Sequence, residues 1–136
     1  MGEDEYLEEP RRRFADDLFA TEACGCEVVE ASPGHAVCAF DVTPAHRNAR
    51  GAVMGGALLT VADFALAVAS NPAGEEAGSV TLTTSAEFIA PVRGRRVIAT
   101  CDADKSGRRV GFYTTDVTDE LGTLVARAVA TCFRVG

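Results

Sequence analysis

The chain has 136 residues, 47% of them hydrophobic, which suits one globular domain. Its formal net charge of −7 argues against a nucleic-acid partner. The most apolar stretch, residues 54–71, is too short and too rich in Gly and Ala for a membrane span, and the acidic N-terminus lacks the features of a secretory signal. We therefore expect a cytoplasmic protein without a membrane partner.

Five cysteines are scattered through the chain, each among apolar residues. Because their number is odd and their spacing irregular, we interpret them as buried, reduced side chains. Cys24 and Cys26 lie close together, but no second Cys or His pair follows at metal-binding spacing. The sequence predicts neither a metal site nor a cofactor.

In chain order, the first elements lead to a loop rich in turn-forming residues. Residues 1–10 are predicted as a flexible acidic tail, and residues 11–136 as a single domain that opens with a short helix at 11–20. Two alternating strands follow at 24–31 and 35–43, joined by a turn. The loop at 44–51 has Asn48 and Gly51 as its turn formers.

A long helix is predicted over 54–71 and should stop at Pro72, because proline cannot easily continue a helix. Four longer alternating segments follow it, at 79–90, 95–104, 108–118 and 124–135. The links between the last three have the composition of hairpin turns. The sequence thus predicts an α+β domain with about six antiparallel strands, one long central helix and one short N-terminal helix.

The long helix contains a single charged residue, Asp63. Its apolar side chains are spread around nearly the whole circumference, as in a helix that the fold surrounds. No residue one turn away on either side can neutralise this carboxylate, and burying it unpaired is costly. We expect Asp63 either to meet a backbone amide or an arginine from another element, or to be functional.

The residues before the helix form a motif with Asp63. Asn48, Gly51, Gly55 and Gly56 read N-x-x-G-x-x-M-G-G, and Asp63 follows nine residues after the methionine. The motif resembles that of the hotdog-fold acyl-CoA thioesterases, in the phenylacetic-acid-degradation (PaaI-like) branch, which reads N-x-x-G-x-x-H-G-G. The resemblance covers about residues 14–135 and includes Val80-Thr81-Leu82, Phe88-Ile89-Ala90-Pro91, Ser106-Gly107-Arg108-Arg109 and Asp119-Glu120-Leu121-Gly122.

The resemblance implies a hotdog fold, in which the antiparallel sheet wraps around the central helix. It implies hydrolysis of a small to medium or aromatic acyl-CoA, with coenzyme A as part of the substrate and no separate cofactor. It also implies self-association, as a homodimer or a dimer of dimers, with the active sites at the dimer interface.

Catalytic roles follow from the same resemblance. Asp63 is implied as the general base on a water molecule or as a nucleophile, and the sequence leaves both open. Gly55 begins the helix, where an unpaired N–H can stabilise an oxyanion, and Gly56 gives a ligand access to that backbone. Asn48 and Thr81 match positions that place the water or substrate and that reach the acidic residue, although both also suit an ordinary turn and strand.

Helix geometry supports a site shared between subunits. Gly55 and Asp63 are about 12 Å apart along the axis, at 1.5 Å per residue, so within one chain they cannot easily meet at one carbonyl carbon. Gly55 of one subunit and Asp63 of the other can do so, and the resemblance implies this arrangement.

The other candidate substrate-binding residues are apolar or basic. An apolar or aromatic acyl pocket is suggested by Met54, Phe64, Phe88 and Pro91, although core packing explains such residues equally well. The basic residues of the second half of the chain gather at strand ends, and arginine suits the phosphates of coenzyme A. The arginines we expect to contribute are Arg93, Arg108 and Arg109.

Met54 departs from the motif, because the family has a histidine there and a thioether is a poor hydrogen-bond partner. An alternative function is therefore a non-catalytic or vestigial hotdog module that binds acyl-CoA or an acylated carrier. Another alternative is a hotdog enoyl-CoA hydratase, since Asp41 and His46 fit an Asp-x4-His pattern. Neither His46 nor His35 offers a clear substitute for the missing histidine.

Overall fold

The computed structural model describes residues 3–74 and 78–135. Six antiparallel strands form one sheet in the order β1-β2-β4-β5-β6-β3. The helices are α1 (Glu3–Arg13) and α2 (Gly55–Ser70), and the strands are β1 (Glu27–Ser32), β2 (His35–Asp41), β3 (Gly78–Phe88), β4 (Arg96–Ser106), β5 (Val110–Asp119) and β6 (Leu124–Val135). This is the predicted architecture, with strand bounds shifted by a few residues at most.

The core lies between α2 and the sheet. Val61, Ala65 and Ala69 of α2 are fully buried, as are Phe40 on β2 and Val97 on β4. Alternation along β4 and β5 places every second side chain on this inner face, as expected for a sheet with one covered side. The five cysteines are buried and free, which confirms their predicted structural state.

Helix α1 begins earlier than predicted. Residues 3–10, which we predicted as part of a flexible tail, form most of this helix, whereas the predicted helix at 11–20 ends at Arg13. Leu7 is buried, and the Tyr6 hydroxyl and the Arg11 guanidinium donate hydrogen bonds to backbone carbonyls of β1. Long-range contacts therefore order an acidic segment whose composition suggests a tail. Residues 1 and 2 of the predicted tail lie outside the described residues.

A π-helical turn, Phe19–Ala23, lies between the end of the predicted first helix and the first predicted strand. The Cys24 amide donates to the Phe19 carbonyl at 2.9 Å, which closes the wide turn. Gly25 then adopts a φ of 76°, in the left-handed region that favours glycine. Because the chain turns here, β1 starts at Glu27 rather than at Cys24.

The two edges of the sheet differ. At β1, α1 covers the edge and donates hydrogen bonds to its carbonyl groups. At the other edge, β3 has eleven residues, most of them exposed, with Glu87 as its one charged residue. Among the described residues no strand pairs with the free side of β3. A long edge with so little charge is suited to pairing with another chain.

Candidate active site

Two backbone amides at the start of α2 have no acceptor. Met54 is the N-cap residue but its side chain does not cap the helix, and its carbonyl accepts the amides of Ala57 and Leu58. Within the described residues, nothing accepts a hydrogen bond from the N–H groups of Gly55 and Gly56. The positive end of the helix dipole and these two donors together favour an anion or a polarised carbonyl.

Asp63 lies on the flank of α2 that the sheet leaves uncovered. Asp63 is exposed there, on the same flank as Gly56, Leu59 and Thr60, so the single chain does not surround α2 on every side as its apolar circumference predicted. A cavity of about 500 Å³ opens here, and we call it the Asp63 cavity; it is lined by Asp17, Phe19, Leu59, Thr60, Asp63 and Phe64.

The Asp63 carboxylate has no partner in the described part of the chain. Neither the backbone amide nor the arginine that we considered is within hydrogen-bond distance. The apolar walls of the cavity desolvate the carboxylate and raise the pKa of Asp63, and the negative charge of Asp17 adds to this effect. A carboxylate with a raised pKa in a cavity is typical of functional sites.

A second cavity, of about 270 Å³, lies beside the α2 N-terminus. We call it the Met54 cavity, and its walls include Phe19, Cys24, Ala45, His46, Met54 and Ala57. It meets the Asp63 cavity at Phe19 and Thr60, which line both. Phe19 belongs to the π-helical turn, and such turns are frequent at functional sites.

A third cavity, on the opposite flank of the α2 N-terminus, has Phe88 and Pro91 in its walls; we call it the Phe88 cavity. The Phe88 ring packs directly on Gly55, where a Cβ would lie only 3.1 Å from the ring. Phe64 is instead a buried core residue with an edge-to-face contact to Phe14 at 5.9 Å, although part of it also lines the Asp63 cavity.

Asn48 organises the loop before α2. Its side-chain oxygen accepts the amides of Arg50 and Ala52 at 3.0 and 3.2 Å. The oxygen is thus committed to the turn, while the exposed side-chain NH₂ group stays available to a ligand. Thr81 lies on the helix-facing side of β3, where its hydroxyl is 3.9 Å from the Cys132 sulfur and forms no bond to Asp63.

The three candidate arginines lie at opposite ends of the sheet. Arg93 precedes β4, whereas Arg108 and Arg109 follow it. Eleven extended residues span about 35 Å, so one chain does not bring these side chains together. All three are exposed, and none is paired within the described residues.

A buried aspartate that the sequence analysis did not single out as functional holds the Arg93 loop. Asp119 is 2% exposed, and its two carboxylate oxygens accept the amides of Arg93 and Gly94 and those of Leu121 and Thr123. Burial alone would raise its pKa, but these hydrogen bonds outweigh burial and lower the pKa to about 2.

The histidines are both occupied elsewhere. His46 is buried, accepts the Thr43 amide at Nδ1 and contacts the Cys24 carbonyl through Nε2. Asp41 is paired with Arg96, so the Asp41–His46 dyad of the hydratase alternative does not form. His35 is held between Glu30 and Asp102 at the far end of α2.

No sequence signal had pointed to Asp17, Phe19 or Cys24 as residues beside the catalytic motif, because they fall in a segment outside it. Their position in the two cavities depends on the π-helical turn, which the pattern of apolar residues does not reveal.

In the part of the chain that the structure describes, no group of three or more His, Cys, Asp or Glu side chains is placed to hold a metal ion. None of the helices in residues 3–74 and 78–135 has the length and hydropathy needed to cross a bilayer.

Comparisons with known proteins show the family to which the chain belongs. The thioesterase superfamily profile matches residues 50–126. A putative esterase of Deinococcus radiodurans is 30% identical over 91% of this chain and 84% of its own length. Acyl-coenzyme A thioesterase PaaI of Escherichia coli is 27% identical over 90% of this chain and 89% of its own.

A solved structure extends the similarity to the fold. A mutant of the phenylacetic acid degradation protein PaaI of Thermus thermophilus superimposes with a TM-score of 0.77 and 35% identity. The match covers 85% of this chain and 97% of that protein. The chain therefore belongs to the thioesterase superfamily, as a hotdog-fold thioester hydrolase of the PaaI-like branch.

Proposed function

We propose that the protein hydrolyses acyl-CoA thioesters at a site shared by two copies of the chain. One observation carries this proposal: the α2 N-terminus has two unpaired amides, and the unpaired Asp63 carboxylate lies over two turns away on an uncovered flank of the same helix. The names of acyl-CoA thioesterase relatives support the substrate class.

Pairing of two β3 strands across a two-fold axis would complete the site. Phe88 and the α2 N-terminus lie at one end of β3, and Gly78 lies at the other end, beside the Arg108–Arg109 turn. An antiparallel β3 pair therefore brings the Gly55 end of one copy to the Arg109 end of the other. This would bring the helix N-terminal amides and Arg93 of one subunit close to Arg108 and Arg109 of the other. Together these arginines could bind the phosphates of coenzyme A.

The proposed chemistry needs no group beyond these. The Gly55 or Gly56 amide would hold the thioester carbonyl oxygen, and its hydrogen bond would strengthen as negative charge develops there. With Asp63 as general base, water loses a proton to the carboxylate and attacks the carbonyl carbon; the C–S bond then breaks, releasing a carboxylic acid and the coenzyme A thiol. As a nucleophile, the Asp63 carboxylate would attack the carbonyl carbon, and a mixed anhydride would form as the C–S bond breaks and the coenzyme A thiolate leaves. Water would then hydrolyse the anhydride, releasing the carboxylic acid and regenerating the Asp63 carboxylate.

Thiol release from a panel of acyl-CoA thioesters tests the proposal. The wild-type protein should hydrolyse at least one, and Asp63→Asn should lower the rate by at least about a hundredfold while binding of a non-hydrolysable acyl-CoA analogue persists. Asp16→Asn is the matched control, because Asp16 is an exposed neighbouring carboxylate outside the Asp63 cavity.

The panel of thioesters also distinguishes a thioesterase from a non-catalytic module that only binds acyl-CoA. Wild-type turnover by Asp63→Asn would remove this residue from the mechanism. Tight analogue binding without hydrolysis of any thioester would support a non-catalytic acyl-CoA-binding module, which the methionine at position 54 first suggested.

A further inference from the structure

The two cavities beside the α2 N-terminus have different surroundings. The Phe88 cavity opens along the loop that leads to Arg93, and is therefore placed for the coenzyme A portion of a substrate. The Met54 cavity lies on the other flank, and among the described residues neither cavity has a charged side chain in its walls. The unpaired Gly55 and Gly56 amides lie between them.

The Met54 cavity has a buried floor and an exposed rim. Its floor is formed by Cys24, His46 and Ala57, none more than 8% exposed. Its rim includes the exposed side chains of Phe19, at 72%, and Met54, at 44%. An aromatic ring and a thioether at the entrance suit contact with an alkyl or aryl group.

The polar groups of the floor are already satisfied. The two ring nitrogens of His46 are occupied by Thr43 and the Cys24 carbonyl. The Cys24 sulfur lies 4.0 Å from the Ala57 carbonyl, and its hydrogen bond with the Cys26 thiol lowers the pKa of Cys24 to about 7, so this sulfur is already engaged by Cys26. Nearer the rim, the Thr60 hydroxyl donates to the Gly56 carbonyl at 2.7 Å. The floor thus offers no strong free hydrogen-bond partner to the end of a bound group.

We infer that the Met54 cavity receives the acyl group of the substrate and selects acyl groups that end in hydrocarbon over those that end in a hydroxyl. The inference rests on the proposed function, because it takes the carbonyl to lie at the Gly55 and Gly56 amides. The Asp63 cavity is a poorer acyl site, since two carboxylates line it. A hydroxyl carried to the floor of the Met54 cavity loses water without gaining a good partner.

Binding of two non-hydrolysable ketone analogues tests this inference. In each, a methylene group separates the sulfur of coenzyme A from the acyl carbonyl; one ends in phenylacetyl and the other in 4-hydroxyphenylacetyl. Calorimetry should show the unsubstituted analogue binding about ten- to a hundredfold more tightly to the wild-type protein. Equal binding, or preference for the hydroxylated analogue, would overturn the inference.

Two variants locate the selectivity in this cavity. Ala45→Phe places a ring at the rim and should weaken binding of the phenylacetyl analogue at least tenfold, with coenzyme A itself bound as before. Ala49→Phe is the matched control, because Ala49 is an exposed alanine of the same loop that lines none of the cavities described. Cys24→Ser gives the floor a true hydroxyl and should narrow the difference between the analogues several-fold.

Failure of this inference differs from failure of the proposed function. If Ala45→Phe and Cys24→Ser both fold and bind the analogues as the wild type does, the acyl group lies elsewhere, even if the protein hydrolyses acyl-CoA. If the selectivity and both variant effects are found but no thioester is hydrolysed, the acyl site stands and the catalytic proposal falls.

Discussion

Asp17 shares the Asp63 cavity, and no basic side chain of the described chain lines it. Arg13, at the end of α1, is paired with Glu9. Desolvation by the cavity walls and the Asp17 charge both raise the pKa of Asp63, so the ionised, active form should be lost at a higher pH than for an ordinary carboxylate. As pH falls through this raised pKa, kcat/KM should decline.

Asp17→Asn should move this acidic limb to lower pH, because removal of a like charge lowers the pKa of Asp63. The measurement is the pH profile of kcat/KM for the wild type, Asp17→Asn and the control Asp16→Asn, whose limb should stay in place. A uniform loss of rate at every pH, with the limb unmoved, would show that Asp17 has only a structural role.

Met54 gives a second prediction at the scale of single residues. Met54→His restores the residue usual in the family and adds a hydrogen-bond donor beside the unpaired amides. One further hydrogen bond to the carbonyl oxygen should raise kcat on at least one acyl-CoA by about ten- to a hundredfold. If the variant folds and every substrate in the panel is turned over as slowly as before, the site operates around the thioether instead.

Single residues differ in how far the sequence reveals them. Asp63 and Gly55 could be recognised because a charge in an apolar helix and a glycine pair at its start are local signals. The exposure of Asp63 could not be predicted from the sequence, because it depends on which flank of α2 the sheet leaves uncovered. Asp17 and Phe19 come to the same cavity through a π-helical turn that has no pattern of its own.

At the scale of elements, alternation predicted the strands well and their bounds less well. Strand β6 occupies the predicted residues 124–135, whereas β1 loses three residues at its start to the turn at Gly25. Helix α1 was misplaced because its contacts with β1, through Tyr6 and Arg11, are distant in sequence. Local patterns describe periodicity, and tertiary contacts decide where an element begins.

The junction between the Arg93 loop and the β5–β6 turn gives a prediction at this scale. Each carboxylate oxygen of Asp119 accepts two backbone amides. In Asp119→Asn, the NH₂ group would face two N–H donors in either orientation, so the free energy of unfolding should fall by about 2 kcal/mol or more. Asp116→Asn, which breaks an exposed pair with Arg127, should change it by less than about 1 kcal/mol.

The pH dependence of the free energy of unfolding should also differ between the wild type and Asp119→Asn. Because the folded-state pKa of Asp119 is lowered to about 2, its contribution is present above the unfolded pKa and is lost as pH falls from about 4 towards 2. Denaturant titrations across this range should show a shallower pH dependence in Asp119→Asn. An unchanged slope would mean that other carboxylates account for the acid sensitivity.

At the scale of the whole molecule, the unequal sheet edges and the separated site residues lead to the same arrangement. Helix α1 covers β1, whereas β3 stays open, and pairing through β3 would join Gly55 and Arg93 of one copy to the far end of the other. The sequence suggested a second subunit from the family resemblance, together with the roughly 12 Å that separate Gly55 and Asp63 along the helix. The sequence alone could not place the arginines at opposite ends of the sheet, because that placement depends on how the strands are arranged.

Mixing two inactive variants tests this shared site. Asp63→Asn removes the carboxylate, and Gly55→Val crowds the helix N-terminus, where a Cβ meets the Phe88 ring at 3.1 Å while the backbone φ is not in the left-handed region. Random exchange makes half the dimers mixed, each with one intact site of two, so activity should recover to about a quarter of wild type. Both variants must first be shown to fold and exchange subunits. If they do and the mixture stays as inactive as its parts, Asp63 must serve a site within its own chain, and the roughly 12 Å between it and Gly55 would then have to be closed by a movement of the substrate rather than by a second subunit.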